Sequence, residues 1–159
     1  MMHLAEINIA TLKHDQDDPR VADFMNNLDR INGIAERSKG FIWRHVDETG
    51  NATGTRVDAN PRVIANVSVW ESVPTFEHFV WGTLHRQFYQ RRDEWFEVMQ
   101  SMHFAMWFVP AGTTPSMDEA MARLAHLNTH GNSDFAFGWD HLPEAMRWRE
   151  ARCTPMAAE

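Results

Sequence analysis

Residues 63–71 read VIANVSVWE, and this stretch decides the fold. Val63, Ala65, Val67 and Val69 alternate with Ile64, Asn66, Ser68 and Trp70, the period of two that separates the faces of a β-strand. Both faces carry apolar residues, so the strand belongs inside a sheet covered on two sides. The preceding segment, Asp47 to Arg62, is rich in Gly, Asn, Asp and Thr and predicts a long hairpin connection. It would pair Phe41–Val46 (FIWRHV) with the strand at 63–71. Downstream, Ser72 to Thr75 opens a helix expected to reach about Gln100, with a kink at Gly82. Met102–Val109 (MHFAMWFV) is then a further strand, stopped by Pro110.

Towards the N-terminus, Leu4–Ala10 (LAEINIA) alternates polar and apolar residues and predicts a first strand. Asp18 can cap a helix that starts with Pro19. Val21, Phe24, Met25, Leu28, Ile31 and Ala35 then recur at helical spacing. The order is βαββαβ, the ferredoxin-like α+β arrangement. Beyond it, Ser116 and Glu119 form the capping box of a third helix that Gly131 ends. Phe135-Ala136-Phe137 and Trp139 either add a short strand or cover an edge. The expected organisation is one domain over 1–159, with the core at 1–112, a helix and edge segment at 113–142 and a tail at 143–159.

The fourth strand poses a packing problem. Met102, Phe104, Met106 and Phe108 alternate with His103, Ala105, Trp107 and Val109, and only one set can face the helices. The other needs a cover, either a second copy of the chain or the C-terminal segment. A homodimer through the sheet is the first expectation and the C-terminal segment the alternative.

Composition narrows the function classes. With 43% hydrophobic residues, 7 Trp, 10 Phe and 10 Met in 159 residues, the chain has ample material for a core. A formal net charge of -7 with scattered basic residues argues against nucleic acid as a partner. No basic region followed by an apolar run opens the chain, and no stretch approaches the roughly 18 apolar residues of a membrane span. A cytoplasmic protein with no membrane partner is expected. Cys153 is the only cysteine, so neither an internal disulfide nor a Cys/His zinc site can form.

The second helix carries the functional signal. At about 100° per residue, Trp81, His85, Phe88, Arg92, Trp95, Phe96 and Met99 fall on one stripe. Two of these seven are polar. A buried arginine must meet a carboxylate, carbonyls, a ligand anion or water. Arg92 can therefore anchor a carboxylate or enolate oxygen, and His85 can act as acid or base near neutral pH. The plainer reading is an internal ion pair at Arg92 and a backbone carbonyl on His85. Trp43, Trp70 and Trp107, on adjacent strands, can wall an apolar pocket with Trp81. His78 and His85 stand about 10.5 Å apart along a helix, too far to share a metal. His126 and His130 have a metal-compatible spacing but equally suit a helix C-terminus as surface residues. No metal and no cofactor is expected.

Phe79-Val80-Trp81, His85, Arg91-Arg92 and Trp95-Phe96 resemble an uncharacterised bacterial family of the dimeric α/β-barrel superfamily. The likeness continues through Trp107, Val109-Pro110-Ala111-Gly112, Pro115, Glu119-Ala120, Arg123-Leu124, Leu127, Gly131 and Phe135-Ala136-Phe137. It implies a ferredoxin-like protomer, dimeric through its sheet, with a pocket between helices and sheet. Superfamily relatives include antibiotic-biosynthesis monooxygenases, haem-degrading enzymes, chlorite dismutases and aromatic-polyketide cyclases. Asn66 and Trp70 match by position the polar and aromatic sheet residues that relatives use. The function expected is small-molecule binding, with monooxygenase-like or isomerase-like chemistry on an apolar, partly anionic substrate. The alternatives are a non-catalytic ligand-binding or sensing module, and a haem-handling protein with His85 as ligand.

Overall fold

The structure, a computed structural model, describes residues 1–143 and 145. The expected tail at 143–159 otherwise lies outside the described residues. The elements are β1 Met2–Thr11, α1 Ala22–Arg37, β2 Phe41–Arg44, β3 Val63–Trp70, α2 Val73–Gly82, α3 His85–Gln90, β4 Phe104–Pro110 and α4 Met117–His130. The four strands form one sheet in the order β2-β3-β1-β4, every neighbouring pair antiparallel. This is the ferredoxin-like arrangement. No helix among the described residues is long and apolar enough to cross a membrane.

β1 and β3 are the two inner strands. β1 pairs with β3 from Leu4 opposite Trp70 to Thr11 opposite Val63, and with β4 from Met2 opposite Pro110 to Asn8 opposite Phe104. Before α1, the Asp18 carboxylate accepts the Arg20 amide at 2.9 Å and Pro19 starts a 3-10 turn. The capping expectation is met there, with the α-helix itself beginning at Ala22.

The two faces of the sheet carry separate cores. On the inner face, Leu4, Trp70 and Met106 pack with Ala35 of α1 and with Val73, Phe76, Phe79 and Val80 of α2. On the outer face, Ala5, Ile7, Val67, Val69, Ala105, Trp107 and Val109 pack with Ala120, Leu124 and Leu127 of α4. Of the two anticipated covers, the C-terminal segment therefore supplies this one, within the chain. Ser116 caps α4 by accepting the Glu119 amide at 3.1 Å, while the Glu119 carboxylate binds Arg123 at 2.9 Å. Gly131 ends α4 at φ +76, a conformation that glycine adopts without strain. The chain then returns to the β4 edge, where Met106 and Phe137 exchange both backbone hydrogen bonds.

The long second helix is the element that the sequence pattern overstates. α2 stops at Gly82, and Thr83 is extended at φ -123, ψ -176. The Thr83 hydroxyl donates to the Phe79 carbonyl at 2.6 Å and accepts the His85 amide at 3.2 Å, tying off both ends of the break. Gly and Thr are poor helix formers, so the interruption falls where continuation is weakest. α3 then lasts only to Gln90, and a 3-10 turn spans Arg92–Glu94. Past it the chain bonds to the end of β1: Lys13 donates its amide to Trp95 at 2.9 Å and Glu97 donates to Thr11 at 2.8 Å. Trp95 is buried there with Leu12 and Val21. One continuous stripe from Trp81 to Met99 therefore does not exist.

Leu124 is 3% exposed and sits in the outer core. Leu124→Ala is expected to cost about 2–4 kcal/mol through lost burial and a residual cavity, read as a shift of the urea-unfolding midpoint.

Candidate active site

The alternation of β1 places Leu4, Glu6 and Asn8 on the inner face. Leu4 is packed beneath the helices, so Glu6 is carried inside with it and is 1% exposed. Register sets Ser68 of β3 directly opposite. The Ser68 hydroxyl donates to Glu6 Oε1, and the Trp70 indole N–H donates to Ser68 Oγ at 2.9 Å. Asn8 Nδ2 donates to Glu6 Oε2 at 3.1 Å. Each carboxylate oxygen thus has one donor, and neither donor is charged. Burial pushes the Glu6 pKa up to about 7, against the pull of the Ser68 and Asn8 hydrogen bonds. A carboxyl balanced in this way changes charge in the neutral range, as acid–base catalysis requires.

A layer of rings lies over the same face. Trp70 stacks on Phe79 at 5.0 Å and meets Phe41 edge-on at 5.4 Å. Phe76, Phe104 and Trp139 form a stack with centroids 5.4 to 6.2 Å apart. Phe104 stands opposite Asn8, and so does Asn66 from the other side. Asn8, Asn66 and Phe104 are half-buried. The polar row therefore opens outward from the closed Glu6 end.

His85 opens α3 and takes the plainer of its two expected roles. Its Nδ1 lies 3.1 Å from the Val80 carbonyl. A carbonyl only accepts, so Nδ1 carries the hydrogen and Nε2 the lone pair. Burial lowers the His85 pKa and the Val80 bond opposes it, favouring the neutral ring. His85 rests on Phe79 at 4.9 Å, and a chain of contacts through Phe79, Trp70 and Ser68 links it to Glu6.

Among the described residues Arg92 forms no ion pair. It donates to the Tyr89 carbonyl at 2.9 Å and lies over the Tyr89 ring at 4.3 Å. Its neighbour Arg91 takes the carboxylates instead, with Asp23 at 2.6 Å and Glu94 at 2.8 Å. Burial, and then the charge of Arg92, lower the His103 pKa.

Residues 3–153 match the family described as a domain of unknown function, DUF3291. The chain belongs to that family. Among solved structures, it is similar to NE2512, a protein of unknown function from Nitrosomonas europaea. That similarity has a TM-score of 0.51 at 12% identity over 73% of this chain and 97% of the other. It is also similar to SnoaB, a cofactor-independent oxygenase from Streptomyces nogalater, with a TM-score of 0.48 at 13% identity over 72% and 97%. PA3566 from Pseudomonas aeruginosa gives 0.46 at 10% identity over 71% and 97%. At these identities the likeness is one of fold alone. No curated protein sequence matches the chain.

In this DUF3291 chain the expected site residues separate into three groups. Trp70, Asn66 and Trp81 belong with the inner face. Trp107 is buried in the outer core, and Trp43, opposite Val69, packs there too. The four tryptophans thus lie on both sides of the sheet rather than around one pocket, because strand alternation sends Trp107 the way of Ala105 and Val109. Phe88 and Trp95 stack at 5.9 Å in a third cluster with Leu12 and Val21. The residue that the pattern concealed is Glu6. Its signal was a single acidic residue flanked by apolar residues within the first strand.

Glu6 also sets a pH dependence of stability. Its folded pKa of about 7 exceeds the ordinary value of 4.5, so the folded protein holds a proton that the unfolded chain releases between these values. The contribution of Glu6 is fully present below about pH 4.5 and is lost as pH rises through about 7. Glu6→Gln removes the titration. Its stability relative to the unsubstituted chain should rise across that window, by up to about 3 kcal/mol, measured by denaturant melts at pH 4.5 and 8.

Proposed function

We propose that this DUF3291 protein binds a small, largely apolar molecule between the sheet and α2 and moves a proton on it, with Glu6 as the acid–base group. One observation carries the reading: a carboxyl 1% exposed, held by two neutral donors, whose pKa stands at about 7. A structural carboxylate is ordinarily matched by a cation or left in water. One left half-ionised within a ring-rich layer suits a base that takes a proton from a C–H beside a carbonyl. The half-buried amides of Asn8 and Asn66 would hold the resulting enolate oxygen.

The enolate has two outcomes. Return of the proton at another carbon is an isomerisation. Reaction with O2 turns the deprotonated methylene into a carbonyl, with one oxygen atom kept there and the other leaving as water, which is oxygenase chemistry without a cofactor. A homodimer stays part of the proposal. α4 covers the centre of the outer face, and Trp43 and Ile9 beside it are half-buried; sedimentation at micromolar concentration tests it.

The probe is 2-tetralone, an apolar ring ketone with acidic C–H bonds, followed in D2O by proton NMR with oxygen uptake in parallel. The protein should accelerate exchange above buffer, with a rate that rises through about pH 7 as Glu6 ionises. Glu6→Gln should lose about 100-fold or more. Ser68→Ala removes a donor to the charged form and should move the profile to higher pH. A Glu6→Gln protein that keeps the full rate sinks the assignment. Binding of 2-tetralone without exchange favours the non-catalytic binding module instead.

A second reading rests on His85. Its Nδ1–H is engaged by Val80 and its Nε2 keeps the lone pair, the arrangement common to ligating histidines. A Soret band on haem titration that disappears in His85→Ala would support it.

A further inference from the structure

We infer that the ring of side chains formed by Trp81, Tyr89, Arg92, His103, Phe104 and Trp139 is a binding site for the carboxylate of a planar aromatic acid. The inference deepens the proposed function and rests on it for the course of the pocket. Four of the six links are ring or cation contacts; the two through His103 are a charge influence and adjacency in the chain. Trp81 meets Tyr89 edge-on at 5.1 Å, and Arg92 lies over Tyr89 at 4.3 Å. The charge of Arg92 acts on His103, which precedes Phe104 in the chain. Phe104 stacks on Trp139 at 5.6 Å, and Trp139 returns to Trp81 at 6.5 Å. Phe104 also borders Asn8, the residue that holds Glu6, so the ring adjoins the open end of the polar row.

Two groups on this ring lack a matched acceptor. The Trp81 indole nitrogen is buried and has no hydrogen-bond partner among the described residues. Leaving such an N–H unpaired is costly, and a ligand acceptor removes the cost. Arg92 has only the Tyr89 carbonyl and ring as its described partners, with no carboxylate among them. These two donors belong to side chains that share a single tyrosine, Trp81 perpendicular to its ring and Arg92 over its face. A carboxylate offers two oxygens, which fits one indole N–H and one guanidinium better than a phosphate with its further oxygens. Tyr89, Phe104 and Trp139 supply flat surfaces, which favours a ring system behind the carboxylate.

The test uses 2-naphthoate and its neutral counterpart 2-naphthalenemethanol, titrated calorimetrically into the full chain. The naphthoate should bind more tightly than the alcohol. Trp81→Phe keeps the ring and removes the N–H; Arg92→Gln removes the charge. Each should weaken naphthoate about tenfold or more and leave the alcohol within about twofold. Arg92 lies on a surface turn, so Arg92→Gln still decides the matter if Trp81→Phe melts early. Absence of naphthoate binding at millimolar concentration overturns the inference, as does equal binding of naphthoate and alcohol or undiminished binding by the folded variants. Naphthoate titration involves no proton transfer and 2-tetralone exchange involves no ligand carboxylate, so failure of this site and failure of the proposed chemistry are read separately.

Discussion

The pairing of Glu6 with Ser68 across β1 and β3 is the constraint on which the site depends. A carboxyl taken out of water is tolerated only where donors are already in place. Here they are supplied by the ladder itself: Ser68 by register, Asn8 by being two residues along the same strand, and Trp70 by fixing the hydroxyl of Ser68. A slip of one residue in β1 would turn Glu6 to the outer face, beneath α4, and bring Ala5 and Ile7 inward. The outer face has no polar group opposite such a position, since β3 presents Val67 and Val69 there. Register and protonation chemistry are therefore set by the same hydrogen bonds.

The two sides of the sheet divide the work. The outer side is small and aliphatic residues under α4, with Trp107 at 0% exposure, and it stabilises the register through burial alone. The inner side accepts polar residues among its rings. α4, from the same chain, covers the centre of the outer face.

How much of this was legible in the sequence follows from how local each signal is. Strand alternation at 63–71, the Asp18-Pro19 start and the Ser116 cap act over a few residues, and they placed the ferredoxin-like order correctly. The run from Ser72 to Gln100 misled because apolar spacing persists while the cause of its interruption lies elsewhere. Trp95 and Glu97 leave the helix to bond with the end of β1, more than 80 residues away in sequence. That break removed Arg92 from the interior and set it on Tyr89. Glu6 was hidden for the opposite reason. In LAEINIA the polar residues of an alternating strand ordinarily face water, and only the presence of helices on that side makes Glu6 buried.

The inner face also shows why its carboxyl is poised instead of simply neutral. If rings alone surrounded Glu6, desolvation would drive it to the protonated state throughout the neutral range. If a cation replaced Ser68 or Asn8, it would stay ionised and too weak a base to take a proton from carbon. Two uncharged donors lie between these limits, and the balance falls at about 7. His85 complements this arrangement: burial favours its neutral form, so this histidine adds no positive charge to pull the carboxyl down. The arginine charge is kept beyond the rings, at Tyr89. With the arginine at Tyr89, the charge balance of the carboxyl is left to burial and to its two uncharged donors.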